Sequence, residues 1–343
     1  MYYRAIVIST VAMSILFGLG GCGKGDSGQA GGKRPELQEV RLGYFANLTH
    51  AQAVMGVDSG EYAKAVAPAK LTTRVFNAGP SLIEALFAGE IDIGYVGPGP
   101  AIAGHGRSRG KGVRVVSGAA ANGALIVARK DAGINSLADL KDKRIATPQM
   151  GNTQDISARH YVMAVLKQAD VKNIVPVANA EQTAMMARKD IDAAWTPEPW
   201  GSRLVAEADG VVIAQEKDIK EMWPGGELAL TVVITTPEFL RDHPEVLQKV
   251  LKAHVALTQR LQKEPDKCLP ELEQALLKLT GKKLPAGVLP AAIKNVKFTT
   301  DPLEDTLKAM AKWTYELNFS KDLVNTDGLV DLSVLKKAAA EKP

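Results

Sequence analysis

Between Thr147 and Tyr161 the chain reads TPQMGNTQDISARHY, with Thr, Gln, Asn, Thr, Gln and Asp inside nine residues. A helix starts within this stretch. The first N–H groups of any helix lack intrahelical partners, and the helix dipole favours an anion there by roughly 0.3–2 kcal/mol. Hydrogen bonds to a charged group add about 1.5–3 kcal/mol each, so three or four suffice for roughly micromolar binding after ordering costs. Gly151, Asn152, Thr153 and Gln154 therefore read as a neutral donor nest for a small oxyanion. A plainer reading has Asn152 or Thr153 capping the helix and Asp155 satisfying its first turn.

A second polar turn, Asn47, Thr49 and His50, follows the first strand-like segment. His50 reads either as a ligand donor or as a turn histidine bonded to nearby backbone. The other histidines, 105, 160, 243 and 254, read as surface or structural. Asp155 and Glu198 read as capping groups, or as partners for the amino group of a zwitterion. Trp195 continues a strand and belongs to the core. Trp200, after the loop TPEP, is a candidate cleft wall. G-x-S-x-G, H-E-x-x-H and C-x-x-C are absent, and the G-x-x-x-x-G-K at 18–24 lacks the Ser/Thr of a phosphate loop.

The elements that must position these residues occur twice. EVRLGYFA (39–46) alternates as a strand does. A helix to about Ala65 follows, then the strand KLTTRVF, a helix capped by Ser81 with Glu84 in a capping box and ended by Gly89, and the strand IDIGYVG. The second half runs KRIATPQ as strand, an apolar stripe from Ala158 to Ala169 as helix, VKNIVPV as strand and AEQTAMMARKDID as helix. IDIGYVGPGP (91–100) aligns with IDAAWTPEPW (191–200), and RLGYFANLTHAQ is laid out like RIATPQMGNTQD. Two βα lobes of similar build follow, with Thr49–His50 facing Asn152–Thr153 across a cleft. From Val232 the chain turns helical, starting with Thr236 as N-cap before a proline. This tail is expected to pack back on the first lobe. Lobe 1 is then 39–126 with 233–343, and lobe 2 is 127–232.

With 343 residues and 46% hydrophobic side chains, two domains with a large core are possible. Aromatics are only 5%, which argues against a base-stacking platform. The net charge is +4, and the basic residues are dispersed, so no nucleic-acid partner is expected. MYYR followed by the apolar AIVISTVAMSILFGLG forms an export-type leader too short to span a bilayer comfortably. It runs into LGGC and resembles a bacterial lipoprotein signal, with Cys22 as the lipidated residue. An ordinary signal peptide with a chance cysteine is the alternative. Residues 23–38 would be a flexible tether and lipid the sole membrane anchor. A lipidated Cys22 leaves Cys268 without a disulfide partner, and two cysteines exclude a Cys-type zinc site. No cofactor or metal is expected.

FNAGPSLIEALFAGEIDIGYVGPGPAI, TPQMGNTQDIS, WTPEPW and DGLVDLSVL resemble the substrate-binding proteins of nitrate/sulfonate/taurine ABC importers, within the NMT1/THI5-like superfamily. The resemblance covers about Glu39 to Leu335. It implies an α/β fold of the type II periplasmic-binding-protein kind, two Rossmann-like lobes joined by two hinge strands. It implies a monomer outside the cytoplasmic membrane that delivers a small anion or zwitterion to a permease and its ATPase. It carries binding roles to Asn47, Thr49, His50, Pro98, Gly99, Pro100, Asn122, Gly123, Asn152, Thr153, Gln154 and Asp155, with Glu198 and Trp200 added by the PEPW loop. Sulfonate is the default solute. An enzyme or binding protein of pyrimidine-precursor metabolism on the same fold is one alternative, and a lipoprotein using the fold without a ligand is another.

Overall fold

A computed structural model describes residues 37–340. The leader with Cys22, and nearly all of the proposed tether, lie outside the described residues. Among the described residues, eleven strands form two sheets. They are β1 (Glu39–Phe45), β2 (Lys70–Phe76), β3 (Ile93–Val96), β4 (Arg114–Asn122), β5 (Ala124–Arg129), β6 (Ile145–Thr147), β7 (Ile174–Pro176), β8 (Ala193–Pro197), β9 (Gly210–Gln215), β10 (Ala229–Thr235) and β11 (Val296–Phe298). One sheet has the order β11-β4-β10-β3-β1-β2 and the other β7-β6-β8-β5-β9.

In the first sheet β2, β1 and β3 are parallel, and β10 lies antiparallel beside β3. In the second, β7, β6 and β8 are parallel, and β5 lies antiparallel beside β8. Each antiparallel strand is the one that has crossed from the other lobe. The chain crosses at Gly123 and again just before Ala229, so Ala124–Ile126 belongs to the second sheet and Ala229–Val232 to the first. Both positions precede the boundaries expected from sequence. At the first crossing Asn122 (φ 61°) and Gly123 (φ 79°) both take left-handed conformations, which Asn and Gly adopt at least cost. Asn122 also ties the two crossings together. Its backbone N–H donates to Leu228 O (2.9 Å), and its Oδ1 accepts from Leu228 N–H (3.3 Å).

The internal repeat appears as duplicated chemistry. In lobe 1 the Arg41 guanidinium and backbone N–H both donate to Asp92, and the guanidinium also reaches Gly89 O. In lobe 2 the Arg144 guanidinium and backbone N–H both donate to Asp192, and the guanidinium also reaches Lys189 O. Each fork ties the start of the first strand to the turn before the third. Gly89 and Lys189 share a left-handed conformation there (φ 66° and 64°).

Several local expectations change. The third helix is Gly79–Phe87, with Ala78 rather than Ser81 at its N-cap. Pro80 has no N–H to satisfy and fits the first turn. Ser81 Oγ donates to Ala78 O, and Glu84 pairs with Arg107 instead of closing a capping box. The long tail helix is two helices, Pro237–Asp242 and Pro244–Lys263. Pro244 drives His243 out of the helical region (φ −132°, ψ 45°), and Thr236 caps the first helix by accepting from Phe239 N–H. The helix from Thr153 ends at His160 and passes into a wider turn, Tyr161–Val165.

Part of the tail packs on lobe 1, where Leu247, Leu251, Leu272 and Val334 share a core with Leu42, Ile93 and Val233. The rest does not. In the helix Glu304–Glu316, Met310 and Trp313 share a core with Ile102 of lobe 1 and Ile156 and Val162 of lobe 2. Trp313 stacks on His160 at 4.1 Å. Trp195 is fully buried as expected, and its indole N–H donates to the buried Glu216 (2.7 Å).

Asp192 is held at a pKa of about 2, first by hydrogen bonds from Arg144 and then by Arg129. Its unfolded value is near 3.9, so the full linkage is about 2.6 kcal/mol. Arg144 is half exposed, and solvent screening reduces the contribution to about 1 kcal/mol. A depressed carboxylate pKa stabilises the fold above about pH 4, and that contribution is lost as pH falls toward 2. Asp192→Asn should therefore unfold about 1 kcal/mol more easily in urea at pH 7, and the gap should close between pH 4 and 2. A gap independent of pH would show that the fork carries no charge-linked stability.

Candidate functional site

The C-terminal ends of parallel strands aim helix starts at the open edge of an α/β sheet, which is where such sheets bind ligands. Here the two edges face one another across a hollow of about 40 Å³, room for a few water-sized groups. Phe45, Asn47, Thr49, His50, Asn77 and Gly97 line it from lobe 1. Pro148, Asn152, Thr153, Gln154, Asn179 and Pro197 line it from lobe 2, and Leu230 and Thr231 from the crossing strand β10. Among these lining residues there is no carboxylate, ammonium or guanidinium.

The repeat explains the arrangement. Aligning Arg41 with Arg144 sets Phe45 against Pro148, Thr49 against Asn152 and His50 against Thr153. Gly97 follows the third parallel strand of lobe 1 and Pro197 ends that of lobe 2, and Asn77 and Asn179 follow the second. The hollow is thus three equivalent turns from each half plus one hinge strand.

The lobes touch at this point. Asn152 Oδ1 accepts from Gly79 N–H (3.1 Å), and Thr153 Oγ1 accepts from Gly99 N–H (3.2 Å). Neither side chain caps its own helix; each takes a helix-start N–H from the other lobe. The hydroxyl hydrogen of Thr153 and the amide N–H₂ of Asn152 remain available as donors. The approach depends on small residues. A Cβ on Gly97 would lie 2.3 Å from Thr153 Oγ1, and one on Gly99 would lie 2.8 Å from Ile156 Cδ1.

His50 is buried, and its Nδ1 accepts from Phe45 N–H (3.3 Å), so the ring proton sits on Nε2. Burial pushes its pKa down to about 3, which leaves a neutral donor at physiological pH. Phe45 stacks on it at 4.4 Å. Behind it, Tyr95 hydrogen-bonds to Tyr62 (2.6 Å) and His254 Nδ1 (2.8 Å), and His254 Nε2 donates to Gly118 O (2.9 Å). Because Gly118 O can only accept, Tyr95 donates to His254 and Tyr62 to Tyr95. Asn47 donates to Thr49 Oγ1 (3.3 Å), which frees the Thr49 hydroxyl hydrogen. Asn47 Oδ1 and Thr231 Oγ1 are buried without a protein partner. An unmet buried hydroxyl costs about 1–3 kcal/mol, a deficit a bound solute would remove.

Of the residues expected from sequence, Asn47, Thr49, His50, Asn152, Thr153 and Gln154 come together here. The others are placed elsewhere. Pro98, Gly99 and Pro100 form the first turn of the helix Pro98–Arg107 and support the interlobe contact; only the adjacent Gly97 lines the hollow. Asn122 and Gly123 are the crossing itself. Asp155 is fully buried and accepts from Thr147 Oγ1 (2.7 Å), Gly151 N–H (3.0 Å) and Arg159 (2.9 Å), so it orients the turn and spends the Gly151 donor. Glu198 accepts from Ser202 and, across the hinge, from Asn295 Nδ2 (2.7 Å). Burial raises its pKa, partly offset by these bonds. Trp200 opens the helix Trp200–Glu207 with Arg203 over its ring and is no wall of the hollow. The repeat could have flagged Asn77 and Asn179. For Thr231 the signal was slight, a lone hydroxyl early in the strand ALTVVIT.

Two open α/β sheets joined by paired crossings around such a hollow define the two-lobed periplasmic-binding-protein fold. The alkanesulfonate-binding protein SsuA of Xanthomonas axonopodis pv. citri, solved bound to MOPS, superposes with a TM-score of 0.69 at 20% identity, over 87% of this chain and 99% of that one. A model of the NMT1-like family matches residues 33–269, and the chain belongs to that family. The taurine-binding periplasmic protein of Escherichia coli K12 is 30% identical over 66% of this chain and 68% of its own length. A putative aliphatic sulfonates-binding protein of Bacillus subtilis 168 is 23% identical over 96% of both.

Gly97→Ala places a methyl against Thr153 and should hold the lobes apart. The expected result is a larger radius of gyration by X-ray scattering, with the unliganded melting temperature changed by no more than about 2 °C. A variant as compact as the parent would show that this close approach is not needed for closure.

Proposed function

We propose that this chain is the solute receptor of an ABC importer. It captures a small oxyanion-type solute, such as an aliphatic sulfonate, taurine or nitrate, between its lobes and presents it to a membrane permease served by an ATPase. The observation that carries this reading is the hollow itself, with hydroxyl, amide and imidazole donors from both lobes and helix starts directed at it. The solute would bridge the lobes and favour their closed arrangement. The taurine- and sulfonate-binding relatives support the same reading.

An enzymatic role finds little support in this hollow. Its one titratable lining side chain is His50, too acidic as an imidazolium to work as a general base near neutrality. The receptor would act as a monomer on the periplasmic or cell-surface face, held by lipid on Cys22. The leader sequence supports that anchor.

The full-length protein in detergent should melt higher with millimolar methanesulfonate, ethanesulfonate, taurine or nitrate, at least one of them giving a clear shift. Because His50 stays neutral, affinity should be flat from pH 5 to 8. Thr231→Val should weaken binding by about tenfold or more, the value of one hydrogen bond to a charged group. No shift from any of the four, or product formation from one of them, would defeat the proposal. For the anchor, Cys22→Ser should move the protein from the membrane to the soluble fraction of expressing cells; retention on the membrane would rule out lipid on Cys22.

A further inference from the structure

We infer that Gln182 and Thr196 are positioning residues for the hollow: together they turn the side-chain amide of Asn179 so that its N–H₂, rather than its oxygen, faces the solute. The inference rests on the reading of the hollow as an oxyanion site. Asn179 lines the hollow at the start of the helix Asn179–Ala187. Its Oδ1 accepts from Gln182 Nε2 (3.2 Å) and from Thr196 Oγ1 (3.5 Å). With the oxygen engaged inside the lobe, Nδ2 is the end of the amide left to donate. An anion needs that end. The same amide turned over would set a carbonyl oxygen against it.

The internal repeat shows that the fold does not require polar side chains at these two places. The helices Gly79–Phe87 and Asn179–Ala187 coincide at a shift of 100 residues. At that shift Gln182 stands where lobe 1 has Leu82, and Thr196 where it has Val96. All four side chains are fully buried. Lobe 1 fills both places with hydrocarbon, in one core with Ile83 and Ile102. Asn179 itself stands where lobe 1 has Gly79, which has no side chain to orient. The polar pair thus occurs in the lobe where an asparagine offers it an oxygen to hold.

Gln182 also burdens the fold. Its Oε1 is buried without a protein partner. Such an atom is destabilising, and hydrocarbon of similar shape in its place is neutral or better. Packing therefore does not account for Gln182, whereas orienting Asn179 does. Without the pair, Asn179 Oδ1 would face hydrocarbon whenever its N–H₂ donated to an anion. Every binding event would then carry the penalty of an unmet oxygen.

The double variant Gln182→Leu/Thr196→Val, which copies lobe 1 into lobe 2, tests this beside Asn179→Ala and the triple variant. Methanesulfonate, ethanesulfonate, taurine and nitrate are titrated by calorimetry into the full-length protein in detergent at pH 7. Without solute the double variant should melt no lower than the parent. It should bind the solute that the parent binds most tightly about tenfold more weakly, the effect of one unmet buried group. Asn179→Ala should weaken binding too, and adding the double substitution to it should weaken binding no further, because the pair acts through Asn179 alone. Unchanged affinity in either variant, or a full additional loss in the triple variant, would overturn the inference and leave the receptor reading intact. So would a double variant that melts well below the parent or does not fold, since the pair would then be supporting the lobe. Binding of none of the four solutes by the parent would remove both.

Discussion

Closure of this molecule rests on two backbone N–H groups of one lobe meeting two side-chain oxygens of the other. Gly79 and Gly99 donate to Asn152 and Thr153, at the starts of three helices. The contact is possible because the approaching turns carry almost no side chain. It also decides how the hollow is built. Asn152 and Thr153 use their acceptor atoms on the opposite lobe and keep their hydrogens for whatever lies inside. Donor character in the site is thus a by-product of how the halves fit.

The same economy governs charge. Ionisable groups near the hollow are tied up away from it or held neutral. Asp155 is closed by Arg159, Glu198 is absorbed into the hinge, and His50 is held neutral by burial and by Phe45 N–H. An anion in a neutral, donor-rich enclosure is stabilised by dipoles already fixed in place, with no counter-ion to reorganise. The Arg–Asp forks stand at the opposite end of the parallel strands, where they fix the register of each lobe without adding net charge to the site.

Crossings and tail connect the two halves mechanically. Asn122 brackets Leu228 with two hydrogen bonds, which ties the two crossing segments to each other. The helix Glu304–Glu316 lies on both lobes, with Trp313 stacked on His160. Any motion that opens the hollow must slide this helix over one of the lobes it packs on. Thr231 comes from the crossing strand β10, so the hinge itself offers a group to the solute space.

Much of this was legible in the chain before any coordinates. The doubled strand–turn–helix plan and the offset match at 91–100 and 191–200 set two lobes and put Thr49–His50 opposite Asn152–Thr153, because a repeated local pattern folds to a repeated local structure. Periodicity and Pro or Gly punctuation are local signals, and they located most strands and helices. The roles of Asp155, Glu198, Asn122 and Trp200 were not legible. A carboxylate in a turn looks the same in sequence whether it faces a ligand or an arginine one helical turn away. Tertiary structure alone decided those partners, and with them that Thr231 reaches the hollow and that one tail helix spans both lobes, since contacts between residues far apart in sequence leave no trace in local pattern.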